Sequence, residues 1–203
     1  MPGKRAPEDE RRAQIRRAAL RVALRDRLDR LTIRAVAQEA GISTGLVFFH
    51  YTNKEALLVD MLEWLTATII VAEVSADILA QPTPSAQLLA LLRQELSRVE
   101  QQRARLELFF DYWVLGSRDP AMRDLISRAL DRYRATFLPL VEAVLVSHPT
   151  LHQRITADGV VALATSMIQG WTIQMIKSPT PLDPEPMLEV LHALLEPTPI
   201  AVR

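Results

Sequence analysis

The chain has 203 residues, of which 49% are hydrophobic, 5% are aromatic and none is cysteine, and its formal net charge is zero. This length allows one large domain or two small ones with a sizeable core, and the lack of cysteine excludes disulfides and thiolate metal sites. Because no run of about 18 apolar residues and no apolar leader is present, we predict a soluble, cytoplasmic protein that does not bind a membrane.

Charge is distributed unevenly along the chain. Residues 1–58 carry 12 Lys and Arg against 7 Asp and Glu, a net charge of +5, whereas residues 59–203 carry 12 against 17, a net charge of −5. A basic first quarter joined to an acidic remainder indicates a local contact with a polyanion. A solvated, charged helix face would give the same counts.

Apolar residues follow helical spacing along nearly the whole chain, and strand patterns are scarce, so we predict an all-α fold. The first helix is predicted over 8–27, with an inner stripe that starts at Ile15 and arginines on its other faces. The second begins after Thr32, a suitable cap, and ends at Gly41, which can adopt the left-handed conformation. Ser43 is a suitable cap for the third helix.

A fourth helix is predicted to begin at Thr52, which forms a capping-box pattern with Glu55, and to reach about Ala80. A helix of that length would link two domains, which we place at 1–58 and 59–203. Further helices are predicted over 85–102, 104–117, 120–147, 157–177 and 187–196, the one over 120–147 being kinked or divided at Pro139.

Residues 32–58 contain the most informative pattern, a helix, a four-residue turn and a second short helix. Ala37 is small enough for the next helix to cross closely, Gly41 turns the chain, Ile42 fills the space between the helices and Val47 points inward. This pattern is typical of a helix-turn-helix that places its second helix in the DNA major groove. The alternative is a structural helix corner within an all-α protein.

Several short segments within residues 10–62 carry a family resemblance. They are Thr32-Ile33-Arg34, Val36-Ala37, Glu39-Ala40-Gly41-Ile42-Ser43, Phe48-Phe49-His50-Tyr51 and Lys54-Glu55-Ala56-Leu57. In order and spacing they resemble the TetR family of bacterial transcriptional regulators. The resemblance implies an N-terminal three-helix DNA-binding domain, a larger helical ligand-binding and dimerisation domain, and a homodimer that binds a double-stranded DNA operator.

The resemblance also implies a set of DNA-binding residues. Among them, Thr44 would bond to a base edge and Leu46 would touch a thymine methyl group. The family commonly has tyrosines where Phe48 and Phe49 stand, so we expect hydroxyl contacts to phosphate to be lost and Phe48 to lie in the core. The full implied set is Thr32, Arg34, Ser43, Thr44, Gly45, Leu46, Phe49, His50 and Lys54.

Aromatic residues and methionines are concentrated in the helices that follow, which suits an adaptable apolar pocket for a small hydrophobic ligand. Tyr112 and Trp113 are the strongest candidates because each also carries a polar group. Glu107 and Asp111 lie one turn apart beside them and could meet a cationic ligand. Ordinary core packing would use the same residues. The predicted ligand-binding residues are Trp64, Phe109, Phe110, Tyr112, Trp113, Tyr133, Met167 and Trp171.

Small residues recur at every fourth position of the helix over 157–177. They allow another helix to approach closely, and the resemblance implies that this helix and the last one pair with their copies in a dimer. Burial within the monomer is the alternative. The predicted interface residues are Val161, Ala162, Ser166, Gly170, Leu188, Leu191 and Leu195.

The sequence offers no pattern for catalysis. It has no glycine-rich phosphate loop, no Gly-x-Ser-x-Gly elbow and no cysteine nucleophile, so we expect no enzymatic activity, metal or cofactor. We predict a ligand-responsive transcriptional regulator, a repressor that binds a palindromic operator and is released by a small hydrophobic molecule. The alternative is an all-α DNA-binding or protein-interaction module without such a ligand.

Overall fold

The computed structural model describes residues 8–149, 153, 155–180 and 182–195, and all regular structure within these ranges is helical. The predicted all-α fold is therefore confirmed. The helices are α1 (Glu8–Asp26), α2 (Ile33–Ala40), α3 (Thr44–His50), α4 (Lys54–Ile69), α5 (Ala76–Leu79), α6 (Pro84–Gln101), α7 (Arg103–Gly116), α8 (Pro120–Ser147), α9 (Ala157–Lys177) and α10 (Glu185–Leu195).

The ends of α2 and the start of α3 are formed as predicted. The Thr32 hydroxyl accepts a hydrogen bond from the Ala35 amide at 3.2 Å, and Gly41 ends α2 with a φ of 67°. The Ser43 hydroxyl accepts from the Leu46 amide at 3.2 Å and caps α3. Each of these residues satisfies a backbone group that the helix itself leaves unpaired.

The start of α4 differs from the prediction. α4 begins at Lys54, and the Asn53 side chain, rather than that of Thr52, accepts a hydrogen bond from the Ala56 amide at 2.8 Å. Asparagine is at least as good a cap as threonine, and here it lies one residue closer to the helix. The predicted capping box of Thr52 and Glu55 is therefore wrong.

The end of α4 also differs, since the helix stops at Ile69 and does not reach Ala80. The hydroxyls of Thr66 and Thr68 donate to carbonyls four residues earlier, at 2.9 and 3.1 Å, a bonding pattern that weakens and bends helices. Residues 68–71 are all β-branched, which lowers helix propensity further.

α8 continues through Pro139, so the helix is not divided there. The neighbouring Phe137 and Val141 are completely buried, and this packing maintains the helix despite the missing backbone donor. The short helix α5 was not predicted as a separate element, because its residues fall within the range predicted for α4. The later helices agree with their predicted ranges to within two residues.

The chain divides into two compact units, each of which has its contacts mainly within itself. The first comprises the chain up to Ile69 together with Glu107–Arg128, and the second comprises Ile70–Leu106 together with the chain from Ala129 onward. The predicted boundary after residue 58 falls inside α4, within the first unit. Both α7 and α8 begin in one unit and end in the other.

Each unit has its own apolar core. In the first, α1 packs on α2 and α4 through a fully buried stripe that includes Ile15 and Val22, and α2 packs on α3. In the second, α6 packs on α5, α9 and α10, and its Leu88 and Leu91 are completely buried. α3 packs on the core of the first unit, and the outer face of α3 remains exposed.

Candidate DNA-binding surface

The short helix α3 presents most of its side chains to solvent. Only Val47, the predicted inward residue, is completely buried. Thr44 and Gly45 are exposed, Leu46 is half-buried, and the Phe49 ring is 74% exposed. The face that the sequence assigns to DNA is therefore accessible.

A groove of about 700 Å³ lies along this face. It is lined from α3 and its cap by Ser43, Gly45, Leu46, Phe49 and His50, and from the first turn of α1 by Glu8 and Arg11. The structure thus brings five of the nine predicted DNA-binding residues to one concave surface. The groove is wholly within the first unit.

The other four predicted DNA-binding residues lie at the starts of helices. Thr32 is exposed at the cap of α2, and Arg34 is exposed in its first turn without an ion pair among the described residues. Lys54 is the first residue of α4 and is half-buried. Thr44 is exposed at the start of α3.

Phe48 does not lie in the core as predicted, because its ring is 51% exposed. Consecutive residues of a helix point about 100° apart. Val47 occupies the inward position, so the next residue is turned toward the edge of the surface.

The basic face of α1 is largely neutralised within the protein. Arg12 and Arg16 lie 3.7 and 3.3 Å from the carboxylate of Asp60 on α4. Arg21 and Arg25 lie 2.6 and 3.0 Å from Glu39 on α2. Much of the positive charge counted in the sequence therefore joins helices to one another, and less of it is available to a polyanion.

Asp60 joins three elements of the first unit. Besides the two arginines, it accepts a hydrogen bond of 2.8 Å from the hydroxyl of Tyr51, the residue that ends α3. The Arg12 guanidinium lies 4.9 Å above the Tyr51 ring. Burial and the hydrogen bond to Asp60 raise the pKa of Tyr51 to about 12. Sequence reasoning missed this cluster, which fixes the end of α3 against α1 and α4.

Arg27 follows α1 with a φ of 73°, which is a left-handed backbone conformation. Its guanidinium lies 2.9 Å from Asp111 and 3.7 Å from Glu107, both on α7. The carboxylates that were candidates for a cationic ligand therefore pair with an arginine of the first unit. The left-handed backbone costs about 1–2 kcal/mol for a residue other than glycine.

The predicted ligand-binding residues of the first unit are divided between core and surface. Phe109 is buried and Trp113 is 41% exposed, and their rings pack edge to face at 5.8 Å. Phe110 is half-buried beside them at 5.9 Å from Phe109. Trp64 is half-buried on α4, with the Arg16 guanidinium 5.9 Å from its ring.

Tyr112 is completely buried, and its hydroxyl donates to the Leu58 carbonyl of α4 at 2.9 Å. Burial raises the pKa of this phenol. The polar group that made Tyr112 a candidate for the pocket therefore connects α7 to α4.

In the second unit, a buried acidic residue accompanies the predicted Tyr133. The Tyr133 hydroxyl donates to Glu95 at 2.9 Å, and Arg98 lies 2.9 Å from the same carboxylate, which is 5% exposed. Burial and the charge of Glu95 raise the pKa of Tyr133. Met167 is half-buried and Trp171 is buried on α9. Glu95 escaped sequence analysis, although it falls within the leucine stripe of α6.

The predicted dimer residues differ in exposure. Four of them are buried within the protomer: Val161, Leu188, Leu191 and Leu195. Ala162 and Ser166 are exposed and Gly170 is half-buried. The large apolar side chains that remain uncovered on α9 and α10 are instead Leu163, Ile173, Val190 and Leu194. Sequence reasoning missed these four because they fall between the buried positions of each helix.

Two further observations bear on other classes of site. Among the described residues, no group of three or more histidine or acidic residues is arranged to hold a metal ion. Among the described residues, α9 is the one helix long and apolar enough to cross a bilayer by length and composition, and half of its apolar segment is buried inside the protein.

Together, a capped helix-turn-helix with an uncovered reading face and an attached helical body define a helix-turn-helix DNA-binding protein. Residues 15–61 match the family of bacterial regulatory proteins called tetR, and residues 84–198 match the C-terminal region of BetI-type transcriptional repressors. The chain belongs to the TetR family of transcriptional regulators.

Individual relatives agree with this assignment. The transcriptional regulator BetI of Burkholderia lata is 24% identical over 186 residues, which cover 92% of each chain. A transcriptional regulator structure from Pseudomonas aeruginosa PAO1 has a TM-score of 0.75 at 18% identity, covering 93% of this chain and 90% of that one. A regulator from Saccharomonospora viridis, solved in complex with choline, has a TM-score of 0.72 at 20% identity, covering 92% and 96%.

Proposed function

We propose that this chain is a cytoplasmic, ligand-responsive repressor that binds a palindromic operator as a homodimer and leaves it when a small molecule binds the second unit. The observation that carries the proposal is the uncovered face of α3 with its groove. Thr32 and Arg34 at the start of α2 and Lys54 at the start of α4 are proposed to supply further contacts to phosphate and base edges.

The dimer is supported by the surface of the second unit. α9 and α10 both pack on α6, and each leaves large apolar side chains uncovered, Leu163 and Ile173 on one helix and Val190 and Leu194 on the other. Several uncovered apolar residues on two helices that pack on the same helix are typical of an interface. Two-fold pairing through them would present one α3 to each half of a palindromic site.

The ligand is proposed to be a small, largely apolar molecule held in the second unit. The buried Glu95 carboxylate accepts a hydrogen bond from the Tyr133 hydroxyl and is paired with Arg98, and we propose that an organic cation takes the place of Arg98 beside it. The choline bound by the Saccharomonospora viridis regulator is a cation of this kind. Any such ligand must bind the DNA-incompetent form more tightly, or it cannot release the operator.

DNA binding is tested by fluorescence anisotropy with the DNA upstream of the chain's own gene and a scrambled duplex, at two salt concentrations. We expect tight binding to the upstream DNA alone, weakening steeply as salt rises. Thr44→Ala, at an exposed position, should weaken this binding without changing the melting temperature. Absence of binding to either duplex at low salt would favour the protein-interaction module instead.

The dimer is tested by sedimentation equilibrium of two matched variants. Leu194→Asp should yield monomers, because it places a charge at the centre of the proposed interface. Val146→Asp, at an even more exposed apolar position on α8, should remain dimeric. If both variants or neither dissociate, the interface is elsewhere.

The ligand is tested by releasing the DNA complex with choline and with its neutral carbon analogue, in which a tert-butyl group replaces trimethylammonium. A cation site predicts release by choline alone, and Glu95→Gln should abolish this response while DNA binding persists. Release by neither compound would leave the alternative, a DNA-binding protein regulated without this ligand class.

A further inference from the structure

We propose that α3 recognises the operator mainly through thymine methyl groups, with Leu46 and Phe49 as the contact residues. The inference rests on the proposed DNA-binding function and specifies what this surface reads. Leu46 and Phe49 are three residues apart and therefore share one face of α3, the face that forms the groove.

The composition of α3 limits what it can bind by hydrogen bonds. Only Thr44 and His50 of its seven residues have polar side chains. The Nδ1 atom of His50 is buried without a partner among the described residues, so only the other ring nitrogen can reach a ligand. The Ser43 hydroxyl already caps the helix. Few donors and acceptors remain to distinguish base edges.

The Phe49 ring has the position and exposure of a contact residue. It is 74% exposed, and its one ring contact among the described residues is with His50, edge to face at 5.2 Å. Gly45 lies beside it with no side chain, and a methyl group there would meet only the Ser43 hydroxyl, at 3.9 Å. A duplex can therefore approach the helix backbone closely enough for the ring and Leu46 to touch base edges.

Duplex DNA is the occupant that fits the apolar chemistry of the groove in a chain of the TetR family. Arg11 and Glu8 of α1 both line this groove, and Arg11 is the side chain that would meet a phosphate strand. Within the major groove, the thymine methyl is the one apolar group that a base edge presents. An apolar reading face beside a cation thus selects for thymine rather than for a hydrogen-bonding pattern.

The test replaces thymine by uracil, which removes the methyl group and leaves base pairing intact. The upstream duplex is prepared with dTTP or with dUTP, and its affinity for the full-length protein is measured by anisotropy. Burial of one methyl group is worth about fourfold in affinity, so one contact in each half of a palindrome predicts roughly 15-fold weaker binding to the uracil duplex.

A variant comparison assigns the effect to its residue. Phe49→Ala should bind the thymine duplex more weakly and should lose most of the preference for thymine over uracil. Phe48→Ala, at a neighbouring exposed ring outside the groove, should keep the preference. Phe49→Ala should leave the melting temperature unchanged, whereas Phe48→Ala should lower it slightly, because the Phe48 ring is 51% exposed and the Phe49 ring 74%.

The outcomes separate this inference from the proposed function. Specific binding with equal affinity for the two duplexes would overturn the inference alone. If Phe49→Ala binds more weakly but keeps its preference for thymine, the ring contacts sugars rather than methyl groups. That result would also overturn the inference. Absence of sequence-specific binding at low salt would remove the proposed function and the inference together.

Discussion

Replacing glycine by alanine at either side of the turn in the helix-turn-helix should change stability in opposite directions. Gly41 ends α2 with a φ of 67°, a left-handed conformation that an L-residue adopts at a cost of about 1–2 kcal/mol. No atom lies within 4 Å of an added methyl group, so packing contributes nothing to the effect. Gly41→Ala should therefore lower the free energy of unfolding by about that amount.

Gly45 lies within α3, and its backbone is not left-handed. An added methyl group would make one ordinary contact, 3.9 Å from the Ser43 hydroxyl. Because alanine loses less conformational freedom than glycine in a helix, Gly45→Ala should raise stability by roughly 0.5–1 kcal/mol. The two variants should therefore differ by about 2 kcal/mol.

The variant that is more stable should bind DNA more weakly than the variant that is less stable. The new methyl group of Gly45→Ala would stand on the face that a duplex approaches, and we expect about tenfold weaker binding, equivalent to 1.4 kcal/mol. Gly41→Ala lies outside the groove and should retain its affinity under folding conditions. Urea unfolding at a fixed protein concentration and operator anisotropy measure the two effects. A Gly45→Ala protein that is less stable, or that binds DNA normally, would refute this account of the surface.

Three further predictions concern other parts of the first unit and the tyrosines. Asn53→Ala should lower stability by about 1 kcal/mol in chemical denaturation, whereas Thr52→Ala should change it little, because Asn53 makes the capping bond. Lys54→Ala should reduce the salt dependence of DNA binding by about one phosphate contact per protomer, equally for all sequences. All three tyrosines, including Tyr51, have a raised pKa, so the unfolded chain releases protons first. Stability should fall above pH 10 by up to about 1.4 kcal/mol per pH unit for each tyrosine. In an absorbance titration, phenolate should form together with unfolding, and earlier ionisation in the folded protein would contradict the burial.

Local features of the fold could be predicted because single residues determine them. Thr32, Gly41 and Ser43 each satisfy a backbone group or a backbone angle within three residues, and all three act as predicted. At the start of α4, Thr52 and Asn53 are both good caps, and the sequence does not say which of two adjacent residues takes the role. Such ambiguity shifts a helix end without changing the fold.

The candidate site was harder to predict because burial and interface formation use the same pattern. The spacing of Leu188, Leu191 and Leu195 marks one face of α10, and this face packs inside the protomer. The uncovered Val190 and Leu194 fall between these positions, where the pattern predicts solvent. Contacts between distant residues leave no local signal at all, as with Arg27 and Asp111, which are 84 residues apart.

The two units also change which helices could carry a signal between ligand and DNA. The predicted link was α4, but α4 ends at Ile69 and lies entirely in the first unit. α7 instead begins in the second unit and ends in the first, where the Tyr112 hydroxyl binds the Leu58 carbonyl and Asp111 pairs with Arg27. A ligand that favours one of two positions of α7 would therefore act on α4 and on the turn before α2 at once, and coupling requires such an element with two alternative arrangements.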